Sequence, residues 1–374
     1  MSSLRPTYAE INLDNLRFNL RSSCKFIGRD LKFMAVVKAN AYGHGAVECS
    51  RALDRAGADW FGVALVEEAV ELRKAGISKP ILCLGGFFEG QENSFLEYSI
   101  TPVVFRIEQA ERLNAVCKGG RTNIHIKIDT GCGRLGVRWD QVIEFAQRLS
   151  GLSNLNVEGL MTHFAAADDP AENDFTNGQT RRFYESVDLF RDLGFSPSFI
   201  DLANSPGAVM HPNSRGNMVR LGGILYGLGG DILPEKIDKP ELRPVMSLYS
   251  KIAHLKSVPK GESLGYGRTF FTKRNSVIAT VPIGYHDGYR RGLSNQARVI
   301  INGHNAAVAG RVSMDWIIVD VTDVDKVNVG DEVILIGSKN DLVITAEELA
   351  GHLDTISYEI TCGISSRVPR HYIG

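Results

Sequence analysis

The stretch "FMAVVKANAYGHG", residues 33–45, poses the question that decides the fold. Five apolar residues read as a core strand, Lys38 stands at its end, and small residues, a tyrosine and two glycines then break the pattern. An ammonium is costly in such a place unless it is paired or neutralised. Lys38 is therefore either a solvated strand end or a reactive amine. No G-x-G-x-x-G follows this first strand, so the signature of an open dinucleotide-binding sheet is missing.

Further short apolar runs follow: FGVAL (61–65), ILCL (81–84), TPVVF (101–105), IHIKI (124–128), VEGLMTHF (157–164), FIDLA (199–203) and VRLGGILYG (219–227), eight with the first. Helical patterns lie between them. Trp139, Val142, Ile143, Ala146 and Leu149 keep to one face, as do Phe183, Val187, Phe190 and Leu193. A helix over 14–27, with Asp14 as its N-cap, precedes the first run. Eight strands alternating with helices predict a closed parallel (β/α)8 barrel over residues 1–240, with an open doubly wound sheet as the alternative.

Near Leu242-Arg243-Pro244 the texture changes. VMSLYSKIAHLKSV alternates in the manner of a strand, and Asn302-Gly303 between two apolar runs is a strong hairpin signal. DEVILIG is another strand, and Thr345 with Glu348 forms a T-x-x-E capping box. Residues 241–374 thus read as a mostly β domain. Tyr8 to Leu13 also alternate, which makes residues 1–13 a candidate strand for that domain.

Composition narrows the class. Of 374 residues, 44% are apolar and 23% charged, both ordinary globular values. Lys plus Arg total 42 against 43 Asp plus Glu, and a net charge of −1 argues against nucleic-acid or membrane-surface partners. The six cysteines (24, 49, 83, 117, 132 and 362) show no C-x-x-C, so neither a zinc site nor a disulfide framework is expected. The start, MSSLRPTYAE, has no apolar core, and no stretch reaches the 18 or so apolar residues that span a bilayer. A cytoplasmic protein is expected.

In a barrel, reactive groups sit at the carboxyl ends of the strands. Those ends carry Lys38 and Tyr42, Lys127 and Arg134, His163, Asn204-Ser205, and Arg220. This cationic rim suits an anionic, phosphorylated ligand.

At these residues the chain resembles the alanine racemases. The resemblance runs through AVVKANAYGHG (35–45), KIDTGCGRLGV (127–137), THF (162–164), LANSPGA (202–208), RLGGILYG (220–227), PVMSL (244–248), GYGRTF (265–270), IGYHDGYRR (283–291), GRVSMDW (310–316) and ISSRVPR (364–370). It implies a barrel joined to a β domain, pyridoxal 5'-phosphate as cofactor, and a homodimer with two shared active sites. The implied reaction interconverts L-alanine and D-alanine, for peptidoglycan synthesis or for D-alanine breakdown.

The resemblance also implies roles. Lys38 is the lysine that forms a Schiff base with the cofactor, and burial among cations favours its reactive neutral amine. Tyr42 and Tyr358 bond the phosphate, together with Asn204, Ser205 and Gly222. Arg220 faces the pyridine nitrogen, and its permanent charge disfavours protonating that nitrogen; a salt bridge closing the barrel is the other reading of this residue. His163 flanks the ring and orients Arg220.

Racemisation removes a proton from one face of the α-carbon and delivers one to the other, so two bases are economical. Lys38 is one, and the resemblance assigns the second to Tyr266, supplied by the partner subunit. An unperturbed tyrosine is a poor base at neutral pH, so cations such as Arg220 and His163 are expected to stabilise its phenolate. Arg134, Met314 and Asp315 match substrate-site positions, and Tyr285 narrows the side-chain pocket to little more than a methyl group. Lys127 matches a lysine often carbamylated in the family.

Four departures stand out: Cys132 where methionine is common, Leu221 where proline is usual, and Trp316 and His286 at variable places. None removes a cofactor or proton-transfer group. The competing functions are a racemase of broader specificity acting on serine or larger amino acids, a decarboxylase on the same barrel, and a non-catalytic pyridoxal-phosphate carrier.

Overall fold

Residues 5–28, 30–117 and 119–374 are described by the structure, a computed structural model. The chain divides into two units. One comprises residues 16–41 and 46–242; the other comprises residues up to 15, 42–45 and 243–374.

The first unit is a closed barrel. Strand β1 (Tyr8–Asn12) belongs to the other unit; the barrel strands are β2 (Lys32–Val36), β3 (Trp60–Val63), β4 (Ile81–Cys83), β5 (Thr101–Val104) and β6 (Thr122–Asp129). The short β7 (Val137–Arg138) lies beside β6, and β8 (Leu155–Met161), β9 (Phe199–Asp201) and β10 (Met218–Leu221) complete the ring. The order β5-β4-β3-β2-β10-β9-β8-β6 is parallel throughout, and the β5–β6 pairing closes it. All eight runs form strands in a (β/α)8 barrel, because each is too short and too apolar to be covered on one face alone.

Met34, Trp60, Leu82, Val103, Met161 and Met218 meet as an apolar plug inside the ring. The two-residue period of a strand then dictates what lies on the same inner face farther along. From Met34 it leads to Val36 and Lys38, from Met161 to His163, and from Met218 to Arg220. An apolar layer at depth and a polar layer at the carboxyl ends follow from sequence parity.

Some local readings change. The run 219–227 is strand only to Leu221, after which Gly223–Tyr226 turn as a 3-10 helix. Ile143, expected on the apolar face of its helix, is exposed, whereas Val142, Phe145, Ala146 and Leu149 are buried. Leu193 is also exposed, since the helix Asn173–Asp192 ends just before it.

The second unit is a ten-stranded sheet. Its strands are β1, β11 (Met246–Lys251), β12 (His254–Val258), β15 (Ser276–Val281), β16 (Arg298–Ile301), β17 (His304–Val308), β18 (Ile317–Asp320), β19 (Glu332–Lys339), β20 (Leu342–Ile344) and β21 (Arg370–Ile373), with β13 (Ser263–Leu264) and β14 (Phe270–Phe271) as a separate pair. Strand β1 lies antiparallel to β11, with Ala9 opposite Leu248, and parallel to β21, with Ala9 opposite Arg370. The β16–β17 hairpin turns at Asn302 and Gly303, both with positive φ (50° and 77°), as a two-residue turn demands.

The first helix spans Leu13–Ile27, and its cap is Asn12, whose Oδ1 accepts from the Asn15 N–H at 2.9 Å. Asp14 is not the cap; it lies inside the first turn, where its charge complements the helix N-terminus. Thr345 caps its helix by accepting from Glu348 N–H at 3.1 Å. Glu348 does not return the bond, because both its oxygens accept from Arg298. Among the described residues no helix is long and apolar enough to cross a membrane.

Candidate active site

Arg220 anchors the mouth of the barrel. Its side chain is only 4% exposed, and its inward direction follows from Met218 two residues earlier. Nη1 donates to the carboxylate of Asp201, which is fully buried on the adjacent β9. Nη2 donates to the carbonyls of Thr162 (2.8 Å) and Leu202 (3.1 Å) and meets His163 Nδ1 at 3.3 Å. Both Nη atoms are thus occupied, and Nε is the donor left for a ligand. The salt-bridge reading of Arg220 is correct, and it leaves the ligand-facing reading open. His163 contributes to the orientation of Arg220, but Asp201 and two carbonyls carry most of it.

This cluster is strongly cationic. Burial lowers the Lys127 ammonium, and the charges of Arg220, Arg134 and Lys38 lower it further against a small opposing effect of Cys132, to about 8. His163 is pushed down to about 2 by burial and by Arg220, Lys127, Arg134 and Lys38. It is therefore a neutral imidazole at physiological pH. That corrects the expectation that His163 serves as a cation.

The turn after Lys38 is unusual. Ala39, Asn40, Ala41 and Tyr42 have φ of 52–54°, four successive non-glycine residues in the left-handed region. Such a conformation costs roughly 1–2 kcal/mol per residue, so the surroundings must enforce it. Ala39 N–H donates to Glu68 Oε1 at 2.6 Å and Ala41 N–H to Val37 O at 2.8 Å. Asn40 Oδ1 accepts from Ala46 N–H at 2.8 Å. Glu68 is itself fixed, since its Oε2 accepts from the N–H groups of Ala64 (2.7 Å) and Leu65 (3.1 Å). Tyr226 Oη donates to Val36 O and holds the strand just before Lys38.

Across the same mouth, Asn204 caps the short helix Ser205–Met210 by accepting from Gly207 N–H at 3.1 Å. Ser205 Oγ accepts from Gly222 N–H at 2.9 Å. Three of the expected phosphate contacts, Asn204, Ser205 and Gly222, are thereby brought together. Arg134 is exposed on the loop after β6, a loop shaped by Asp129 Oδ1 accepting from the N–H groups of Gly131 and Gly133, both at 3.0 Å.

The remaining candidates lie in the second unit. Tyr42 is buried against Tyr358, with ring centroids 5.3 Å apart, and burial raises its phenol well above the ordinary range. The spacing of A-Y-G-H-G is a packing requirement: a Cβ on Gly43 would collide with the Thr361 carbonyl, and one on Gly45 with the Tyr372 hydroxyl. Tyr285 and Met314 are joined through their turns, since Tyr285 N–H donates to Ser313 O at 2.9 Å and His286 N–H to Met314 O at 3.1 Å. Asp315 pairs with Arg367 at 2.8 Å, and Arg367 also reaches Asp287 at 3.5 Å. Tyr266 is 72% exposed in a turn whose flanking residues Gly265 and Gly267 both have positive φ.

Residues 11–229 match the family described as "Alanine racemase, N-terminal domain", and residues 245–372 match "Alanine racemase, C-terminal domain". The chain belongs to the alanine racemase family. It is 43% identical to the alanine racemase of Halothermothrix orenii over 370 residues, covering 98% of this chain and 97% of that one. It is also 43% identical to the alanine racemase of Symbiobacterium thermophilum, covering 100% and 99%. Among solved structures, the alanine racemase of Clostridium difficile 630 superposes with a TM-score of 0.93 at 39% identity, covering 100% and 97% of the two chains. That of Bacillus anthracis, solved with bound L-Ala-P, gives 0.92 at 36%, covering 100% and 96%. Alanine racemases are isomerases, and this chain is an enzyme of that kind.

Against this alanine racemase frame, sequence reasoning missed Asp201 and Glu68. Asp201 had a legible signal: a lone acid inside FIDLA, where a fully buried carboxylate demands a partner. Glu68 had a weaker one, because it follows Leu65, which is not a capping residue, and its bond to Ala39 bridges a gap of 29 residues.

Proposed function

We propose that the enzyme holds pyridoxal 5'-phosphate at the barrel mouth and interconverts L-alanine and D-alanine by two bases, in a cytoplasmic homodimer. The observation that carries this reading is Arg220: a buried guanidinium with both Nη atoms tied to protein and Nε remaining for an acceptor. A pyridine nitrogen is such an acceptor. Ser205, which accepts from the Gly222 N–H and keeps its own hydroxyl proton, stands beside Asn204 and offers a phosphate a donor, and the cationic mouth suits its charge. Lys38, at the strand end on a strained turn, suits the aldehyde. The residues present therefore fit the cofactor.

When bound, pyridoxal phosphate supplies an electron-accepting ring that acidifies the α-proton of an attached amino acid. The chain's own residues then divide the work. The Lys38 amine moves the proton on one face of the α-carbon, and Tyr266 of the partner subunit moves it on the other. The exposure of Tyr266, Met314 and Trp316 supports a partner surface over these turns. Arg134 and the Met314 N–H hold the substrate carboxylate, Asp315 belongs to the same substrate site, Tyr285 narrows the entry, and Tyr42 and Tyr358 add phosphate contacts. Arg220, always charged, disfavours a proton on the ring nitrogen and so favours returning the α-proton over side reactions. The lowered Lys127 leaves a substantial neutral fraction near pH 8, which suits reaction with carbon dioxide to a carbamate.

The test is direct. The purified protein given pyridoxal phosphate should develop a visible absorption band, racemise both alanine enantiomers, and exchange the α-proton in deuterated water. Absence of exchange would overturn racemisation, and faster turnover of serine or lysine would overturn the assignment to alanine.

A further inference from the structure

We propose that Asp201 is the counter-charge of Arg220, a positioning residue that fixes the guanidinium and offsets its charge toward the cofactor ring. The inference rests on the reading of Arg220 given above. Asp201 closes β9, pairs in register with Met218 of β10, and is 0% exposed. Of the groups holding Arg220, the Thr162 and Leu202 carbonyls are uncharged and His163 is a neutral ring, so Asp201 is the anion in contact with it. Its Oδ1 accepts from Nη1, and Oδ2 has no hydrogen-bond partner. The carboxylate is thus committed to a single guanidinium.

The charged and titratable groups facing Asp201 are Arg220 from β10 and His125 and Lys127 from β6. Burial raises the Asp201 carboxyl, and Arg220 pulls it back. Arg220 thus favours the carboxylate form of Asp201 against the effect of burial. An arginine alone would present a full positive charge to the ring nitrogen, and a carboxylate in its place would hold a proton there. Arginine backed by a carboxylate lies between: the nitrogen meets a fixed N–H donor whose charge is partly compensated. The ring nitrogen stays unprotonated, and the compensated charge draws electrons toward it less than a bare cation does, which tempers the electron sink.

Asp201→Asn keeps the size and one acceptor oxygen while removing the charge. With Arg220 no longer held by its charged partner, kcat for alanine should fall about tenfold, with KM unchanged and the visible maximum of the bound cofactor displaced. A variant with wild-type kcat and spectrum, changed only in melting temperature, would overturn the proposal and leave a structural role. Should Asp201→Asn not fold, Arg220→Gln is compared with Arg220→Gln/Asp201→Asn, which strands no buried charge. If Asp201 acts through Arg220, these two share one kcat and one spectrum; a further loss in the double variant would overturn the assignment. A wild-type protein with neither visible band nor racemisation would instead overturn the underlying functional reading.

Discussion

The mouth of the barrel and the turns of the β unit carry candidate groups in opposite states. At the mouth, Arg220 and Asp201 are buried and paired with each other, Lys127 is buried among cations, and His163 is half-buried against Arg220. In the β unit, Tyr266, Met314, Tyr285 and Trp316 are exposed on turns. The electrostatics of the first group come from burial and from charges within its own unit. In the second, Tyr285 and Met314 are joined by backbone bonds between residues 285–286 and 313–314, while the side chains of the group are exposed.

The largest expected effect breaks the barrel half of this comparison. Lys38→Ala should abolish the visible band of the bound cofactor and lower racemisation by about a thousandfold or more. An unchanged band would remove Lys38 from its role. The next sharpens the other half. Tyr266→Phe should keep the band and cost about a hundredfold in rate, more for one alanine enantiomer than for the other. Because this side chain is exposed, monomer stability should stay within about 0.5 kcal/mol; equal losses for both enantiomers would sink the one-base-per-face assignment.

The smallest effect tests whether the mouth is as desolvated as its geometry implies. His163 binds a proton in the unfolded chain below its ordinary value of 6.5 but in the folded protein only near 2. Between these values the unfolded state holds more protons, so stability rises with pH up to about 6.5 and is flat above it. Denaturant titrations of wild type and His163→Gln should diverge in this way, with the variant losing less stability on acidification. Parallel curves would mean that the imidazole is solvated.

Much of the barrel was legible because its strands are apolar on both faces and recur between amphipathic helices. The rim was legible too, since strand ends of a parallel barrel collect the reactive groups and parity tells which residues point inward. Reading Arg220 as either a salt bridge or a ligand-facing cation was a false choice, however. Only the register of β9 against β10 could show that the salt bridge occupies Nη1 and so leaves the ligand-facing reading open. The same holds for His163, whose neutrality depends on burial among cations drawn from separate strands. Local chemistry misled at Asp14 and Glu348, where a competing cap or a distant arginine took the expected partner.

The amino-acid order alone determined the eight-stranded ring, the β character of the later residues, the Asn302-Gly303 hairpin and the residue types at the rim. These depend on short-range periodicity and turn chemistry, which a linear pattern carries. The tertiary structure decided the left-handed turn after Lys38, the pairing of Asp201 with Arg220 and the charge state of His163. Each of these is set by groups distant in sequence, and by the loss of water that occurs only when the strands close on one another.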